Sequence, residues 1–233
     1  MQDFIVLFHC IFGNCNPHMI IELDHIVPTP LKDRFFKRSS DVWNSRVQFS
    51  EGEFIKIKAP SGTGKTTLVH ILYKLRHDYE GVVRINNKST TDFNEDELAE
   101  LRQHTMSIIF QDLRLFPNLT VRENIELKRV LQTPFYNSEV IDVMAETLGV
   151  THVLHQQAGV CSYGEQQRIA IIRALIQPFK ILIMDEPFSH LDIANTKLAV
   201  TLIESECKKR KAGLLITDLD EDENFQYNSK LVL

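Results

Sequence analysis

The chain has 233 residues, 43% of them hydrophobic, and a formal net charge of -5. That length suits one large domain or two small ones, and the apolar content predicts a packed core and excludes a disordered chain. The acidic balance argues against a basic nucleic-acid face, and the four cysteines (Cys10, Cys15, Cys161, Cys207) have the spacing of neither a disulfide framework nor a zinc site.

No apolar run approaches the roughly 18 residues of a membrane span. The opening "MQDFIVLFHCIFGN" carries Asp3 and no Lys or Arg in its leading region, a poor signal peptide, so residues 1–18 are set aside as an N-terminal extension. "MIIELDHIV" from Met19 reads as the first strand, and "SRVQFSEGEFIKIKAP" as two strands joined by a turn at Glu51-Gly52. "TTLVHILYKLRH" has helical periodicity, with Leu68, Ile71, Leu72 and Leu75 on one face. "GVVRINN" is a short strand, "NEDELAELRQH" a helix with an acidic first turn, and "TMSIIFQD" another strand. From "VRENIEL" to about Val160 the pattern is helical, and "KILIMDEP" is a strand apolar on both faces. "TKLAVTLIESECKKRK" is an amphipathic helix with a basic end, "LLITDLDEDENF" a strand running into carboxylates, and "KLVL" a last strand. Strands alternating with helices predict an α/β fold with a mostly parallel sheet.

The sharpest chemical feature is "APSGTGKTT", residues 59–67, between an apolar strand and a helix. Glycines let such a loop turn its amides toward phosphate oxygens, and the helix that follows adds its dipole. Lys65 would reach the β- and γ-phosphates and the Thr66 hydroxyl would ligate Mg²⁺. Ala59 stands where the motif has its first glycine. At the end of "KILIMDEP", Asp185 would hold Mg²⁺ directly or through water, and Glu186 could polarise an attacking water. Taken alone, that pair reads more readily as a strand end with two solvated acids. Ser162 and Glu165 have capping-box spacing and mark a helix start; Ser162 and Gly164 at that N-terminus also offer a second anion cradle.

Taken together and in order, these motifs resemble the ATP-binding cassette (ABC) ATPases over most of residues 19–233. "APSGTGKTT" matches Walker A, "IIFQD" the Q-loop, "CSYGEQQR" the signature usually written LSGGQ, "ILIMDEP" Walker B and "SHLD" the D-loop. "DELAELRQHTMSIIFQDLRLFPNLTVRENIEL" is especially similar to the lipoprotein-release, macrolide-export and cell-division branch. The resemblance implies a P-loop NTPase (RecA-like) core with a small antiparallel β subdomain and an inserted α-helical subdomain at about 112–160. It implies ATP and Mg²⁺ as ligands and a nucleotide loop of Pro60, Ser61, Gly62, Thr63, Gly64, Lys65, Thr66 and Thr67. Glu186 and Gln111 would be catalytic, with Thr66, Gln111 and Asp185 around the metal; Phe35 or Phe36 would stack on adenine, or both are equally core phenylalanines. Ser162, Tyr163, Gly164, Glu165 and Gln166 would act in trans on a second cassette's nucleotide, beside the D-loop residues Ser189, His190, Leu191 and Asp192. The implied partners are a second ABC subunit, identical or not, and membrane-spanning permeases, with no nucleic acid; the implied place is cytoplasmic, on the inner face of the membrane.

Two positions depart from the pattern. Tyr163 stands where the signature has a glycine, and Asp218 where the family places its switch histidine. An ionised Asp218 would face phosphate with like charge and donate no hydrogen bond. The expectation is an ATPase slowed by Asp218, or an ATP-dependent clamp with little turnover acting on a cell-envelope or division partner.

Overall fold

The computed structural model describes residues 18–32, 39–219 and 223–233. Two sheets share the chain. Strands β1 (Ile20–Pro28), β2 (Arg46–Ser50), β4 (Tyr79–Ile85) and β5 (Lys88–Ser89) form an antiparallel sheet in the order β2-β1-β4-β5. Strands β3 (Phe54–Lys58), β6 (Met106–Ile109), β7 (Ile181–Asp185), β8 (Gly213–Asp218) and β9 (Ser229–Val232) form a parallel one, in the order β6-β7-β8-β3-β9. The turn at Glu51-Gly52 therefore does not close a hairpin; it passes the chain from one sheet to the other.

Alternation explains why the parallel strands read as continuous apolar runs. Leu182 and Met184 of β7 and Leu214 and Ile216 of β8 join one hydrophobic cluster, while Ile181, Ile183 and Leu215 join another on the opposite face. Helix α1 (Lys65–Leu72) and the antiparallel sheet fill the second cluster through Leu68, Ile71, Ile21 and Leu23. The first holds side chains of α3 (Val121–Val130), α4 (Glu139–Thr147), α5 (Tyr163–Ile176) and α6 (Ile193–Arg210). Leu182, Ile183 and Met184 are 0% exposed, and each such side chain contributes about 1.5–3 kcal/mol by leaving water. Helix α2 (Glu95–His104) buries no residue fully and meets the second cluster through Leu101; Asn94 and Glu97 form a complete capping box at its start.

One expectation is corrected. Leu75 does not extend the apolar face of α1, because the helix ends at Leu72, Lys74 turns left-handed (φ 56°) and Leu75 is 40% exposed. The antiparallel sheet also carries an irregularity that no pattern announced. β1 shifts register between Asp24 and Val27, with His25 at φ 52°. Gly81 sits at φ 94° in the partner strand, where a Cβ would lie 2.4 Å from the His25 carbonyl oxygen.

The topology places the chemistry. Neighbouring β3, β8 and β7 end together, with Lys58 beside Asp218 and Asp185 beside Thr217. The loop after β3, the acids after β7 and the end of β8 thus share one edge of the sheet, where α/β folds bind ligands.

Candidate nucleotide site

The loop after β3 is built from its own backbone. The Pro60 carbonyl accepts from the Thr63 amide (3.3 Å) and hydroxyl (2.7 Å), and Gly62 takes φ 77°. Gly64, at φ 106°, is the N-cap of α1, where a Cβ would lie 2.6 Å from Leu31 Cδ1 and 3.3 Å from Trp43 Cζ2. Glycine is therefore required there twice over, by backbone and by space. Ala59 is not left-handed, so the missing first glycine of the motif costs nothing. Trp43 braces the loop from below: it is 3% exposed and its indole N–H donates to the Thr63 carbonyl at 3.2 Å. Ser61 is exposed, and the Thr67 hydroxyl accepts from Arg76.

Lys65 is buried. Its ammonium donates to the Ala59 carbonyl at 2.9 Å and pairs with Glu186 at 3.1 Å. The Thr66 hydroxyl lies 2.8 Å from Asp185 Oδ2 and 3.2 Å from Gln111 Oε1, and Gln111 Nε2 donates to Glu186 at 3.2 Å. Thr217 Oγ1 donates to the other Asp185 oxygen at 2.7 Å. Lys65, Thr66, Gln111, Asp185 and Glu186 thus form one connected network, and the two acids are not solvated: Asp185 is 1% and Glu186 9% exposed. Burial pushes the Asp185 carboxyl above its ordinary value, against the hydrogen bonds from Thr217 and Thr66 and reinforced by the charge of Glu186. Glu186 takes φ 48°, a strained backbone for a non-glycine residue, with its amide donating to the Thr217 carbonyl. The oxygens of Thr66, Gln111 and Asp185 are the hard donors that Mg²⁺ takes.

Asp218 ends β8 one strand from this network. Its backbone carbonyl accepts from the Ala59 amide at 2.9 Å, and its Oδ1 accepts from the Leu219 amide at 2.7 Å. Phe35, Phe36 and Asp220 lie outside the described residues.

The helix start at Ser162 has the capping box its spacing predicts. Glu165 accepts from the Ser162 amide (2.8 Å) and hydroxyl (2.7 Å), and also from His152 at 2.9 Å. Gln166 donates to the Cys161 carbonyl. A Cβ on Gly164 would lie 3.2 Å from the His190 carbonyl oxygen, so the signature helix and the loop of Ser189, His190 and Leu191 are in close contact. Tyr163 turns its ring onto His190 and its hydroxyl onto the Gln111 carbonyl. Asp192 caps α6 by accepting from the Asn195 amide at 2.8 Å.

Four residues in or beside the network carry no motif in the sequence. Thr217 looked like a strand end; Gln167, 1% exposed, donates to the Glu186 carbonyl and accepts from the His190 amide. Arg173 holds the carbonyls of Leu113 and Arg114. Trp43 carried the one available signal, as the only tryptophan of the chain.

A family profile described as ABC transporter matches residues 42–189. The chain is 34% identical over 176 residues to the uncharacterized ABC transporter ATP-binding protein YvcR of Bacillus subtilis, covering 75% of this chain and 68% of that one. It is 29% identical over 187 residues to the macrolide export ATP-binding/permease protein MacB of Bdellovibrio bacteriovorus, covering 80% of this chain but only 28% of MacB. The dimeric structure of MJ0796, a bacterial ABC transporter cassette, superposes with a TM-score of 0.74 at 26% identity, covering 86% of this chain and 88% of that one. MJ0796 has also been solved as a dimer in a post-hydrolysis state bound to ADP and Pi, at 28% identity. Loop, acids and glutamine form one network within the matched fold, and the chain belongs to the ABC transporter family as one of its ATP-binding cassettes.

Proposed function

We propose that this cassette binds and hydrolyses ATP to power a membrane transporter, pairing with a second cassette and docking on permease subunits at the cytoplasmic face. On this reading residues 19–233 are a single ATPase domain with a helical subdomain near 112–160, and residues 1–18 an extension. The observation that carries it is the Thr66 hydroxyl, within hydrogen-bond reach of both Asp185 and Gln111 while Lys65 sits on Glu186.

The amides of residues 62–67 and the positive end of α1 bind the phosphates. Lys65 exchanges Glu186 for phosphate oxygen, and the carboxylate so released takes the proton of the attacking water. Gln111 orients that carboxylate through Nε2. Thr66, Gln111 and Asp185 would hold Mg²⁺, which supplies charge neutralisation at the phosphate oxygens. Adenine stacks on Phe35 or Phe36. In trans, Ser162 and the Gly164 amide meet the partner's nucleotide, which requires the Ser162 hydroxyl to leave Glu165.

The docking surface is a groove of about 180 Å³ lined by Phe110, Arg114, Phe116, Leu127 and Leu131. Phe116 is 57% and Leu131 60% exposed, an apolar rim suited to a permease segment. Among the described residues no helix is long and apolar enough to cross a membrane.

Asp218 favours a second reading, a clamp that closes on ATP with little turnover. Mg²⁺-ATP hydrolysis by the purified chain with and without its permease decides between them. The first reading expects turnover that Lys65→Ala and Glu186→Gln both abolish, with binding lost only in the first. ATP binding with no turnover in either condition would establish the clamp.

A further inference from the structure

The family signature has glycine where this chain has Tyr163, and the side chain does not hang free. Its ring meets His190 edge-on, with centroids 4.3 Å apart, and its hydroxyl donates to the Gln111 backbone carbonyl at 3.1 Å. The Gln111 side chain in turn bridges Thr66 and Glu186. Further along α5, Arg173 donates to the carbonyls of Leu113 and Arg114. Those two residues are both left-handed, at φ 56° and 48°, a conformation that non-glycine residues keep only when their surroundings hold them. One helix thus grips three carbonyls of one four-residue loop. β6 ends at Ile109, so Gln111 lies beyond the strand's own ladder.

We infer that Tyr163 is a positioning residue: it straps the signature helix to the loop of Gln111 and to His190 within one subunit, and so sets where the Gln111 amide stands between Thr66 and Glu186. A displacement of the signature helix is passed through one hydroxyl to the group that orients the general base. The inference rests on the ATPase reading for its kinetic consequence but not for the strap itself.

The test is Tyr163→Phe, which keeps the ring on His190 and removes the hydroxyl. Turnover should fall about three- to tenfold with KM within about twofold, the loss of one hydrogen bond expressed in catalysis alone. In a Gln111→Ala background the same substitution should cost nothing, because the side chain it positions is gone while the carbonyl it binds remains. An equal loss in both backgrounds, or no loss in the first, overturns the proposal. Amide hydrogen exchange at Leu113 and Arg114, measured alongside, needs no turnover and decides wherever rates are too low to compare. Faster exchange in Tyr163→Phe at unchanged Tm supports the strap, and unchanged exchange removes it. A wild-type chain with no turnover would fail the ATPase reading separately, leaving the exchange result to stand on its own.

Discussion

At the scale of single residues, the charged groups of the site pair with one another. Lys65 pairs with Glu186, and burial raises the Asp185 carboxyl above its ordinary value. The sign of that shift can be worked out. A carboxyl raised on folding binds more protons folded than unfolded, so stability falls as pH rises from the ordinary aspartate value through the raised one, and the loss persists at neutral pH. Asp185→Asn should therefore raise Tm at pH 7 by a few degrees, roughly 1 kcal/mol for a chain this size, with the gain shrinking toward pH 4. The same variant should lose Mg²⁺-dependent hydrolysis. A Tm equal to or below wild type across that range would show that the hydrogen bonds from Thr66 and Thr217 outweigh burial. Asp218→His tests the other departure: restored donation to phosphate should raise turnover of the paired cassettes, and unchanged or lower turnover would mean the site has adapted to aspartate. Trp43, the one tryptophan, touches the phosphate loop at Thr63, so its fluorescence should change on adding Mg²⁺-ATP and stay constant in Lys65→Ala.

At the scale of elements, most boundaries were legible because they rest on local chemistry. The capping boxes at Asn94, Thr120 and Ser162 begin three helices. The end of α1 was not, since Leu75 continues the periodicity by one more step while the backbone has already turned at Lys74. The bulge in β1 was equally silent, because it lies in the pairing with β4, opposite Gly81 and remote in sequence. Gly81→Ala forces a left-handed alanine and a Cβ into the His25 carbonyl, a cost of about 2–5 kcal/mol. Thermal unfolding should show Tm lower by roughly 5–15 °C with nucleotide binding intact below the transition.

At the scale of the whole molecule, the parallel sheet carries the nucleotide site at one edge and α5 spans from that site to the apolar groove. Arg173 lines the groove and Tyr163 touches the Gln111 loop, so the proposed docking surface and the proposed catalytic site share one helix. Leu131→Asp on the groove rim should leave ATP binding and basal turnover of the free cassette within about twofold, since a surface change far from the chemistry is usually small. It should abolish stimulation by the permease in reconstituted vesicles; retained stimulation would place docking elsewhere.

The residue types at the site, their order and their flanking elements were determined by the sequence alone. Phosphate binding demands a glycine-rich turn between a strand and a helix, and a strand buried on both faces must be apolar until it emerges in its acids. Only the tertiary structure decided how those residues meet. Thr217 on Asp185, Gln167 on Glu186 and His190, and Tyr163 on Gln111 are contacts between segments 19 to 52 residues apart. No local propensity encodes them. They exist because β7 and β8 pair in register and α5 packs against the sheet beside them, which brings side chains remote in sequence within one hydrogen bond of each other.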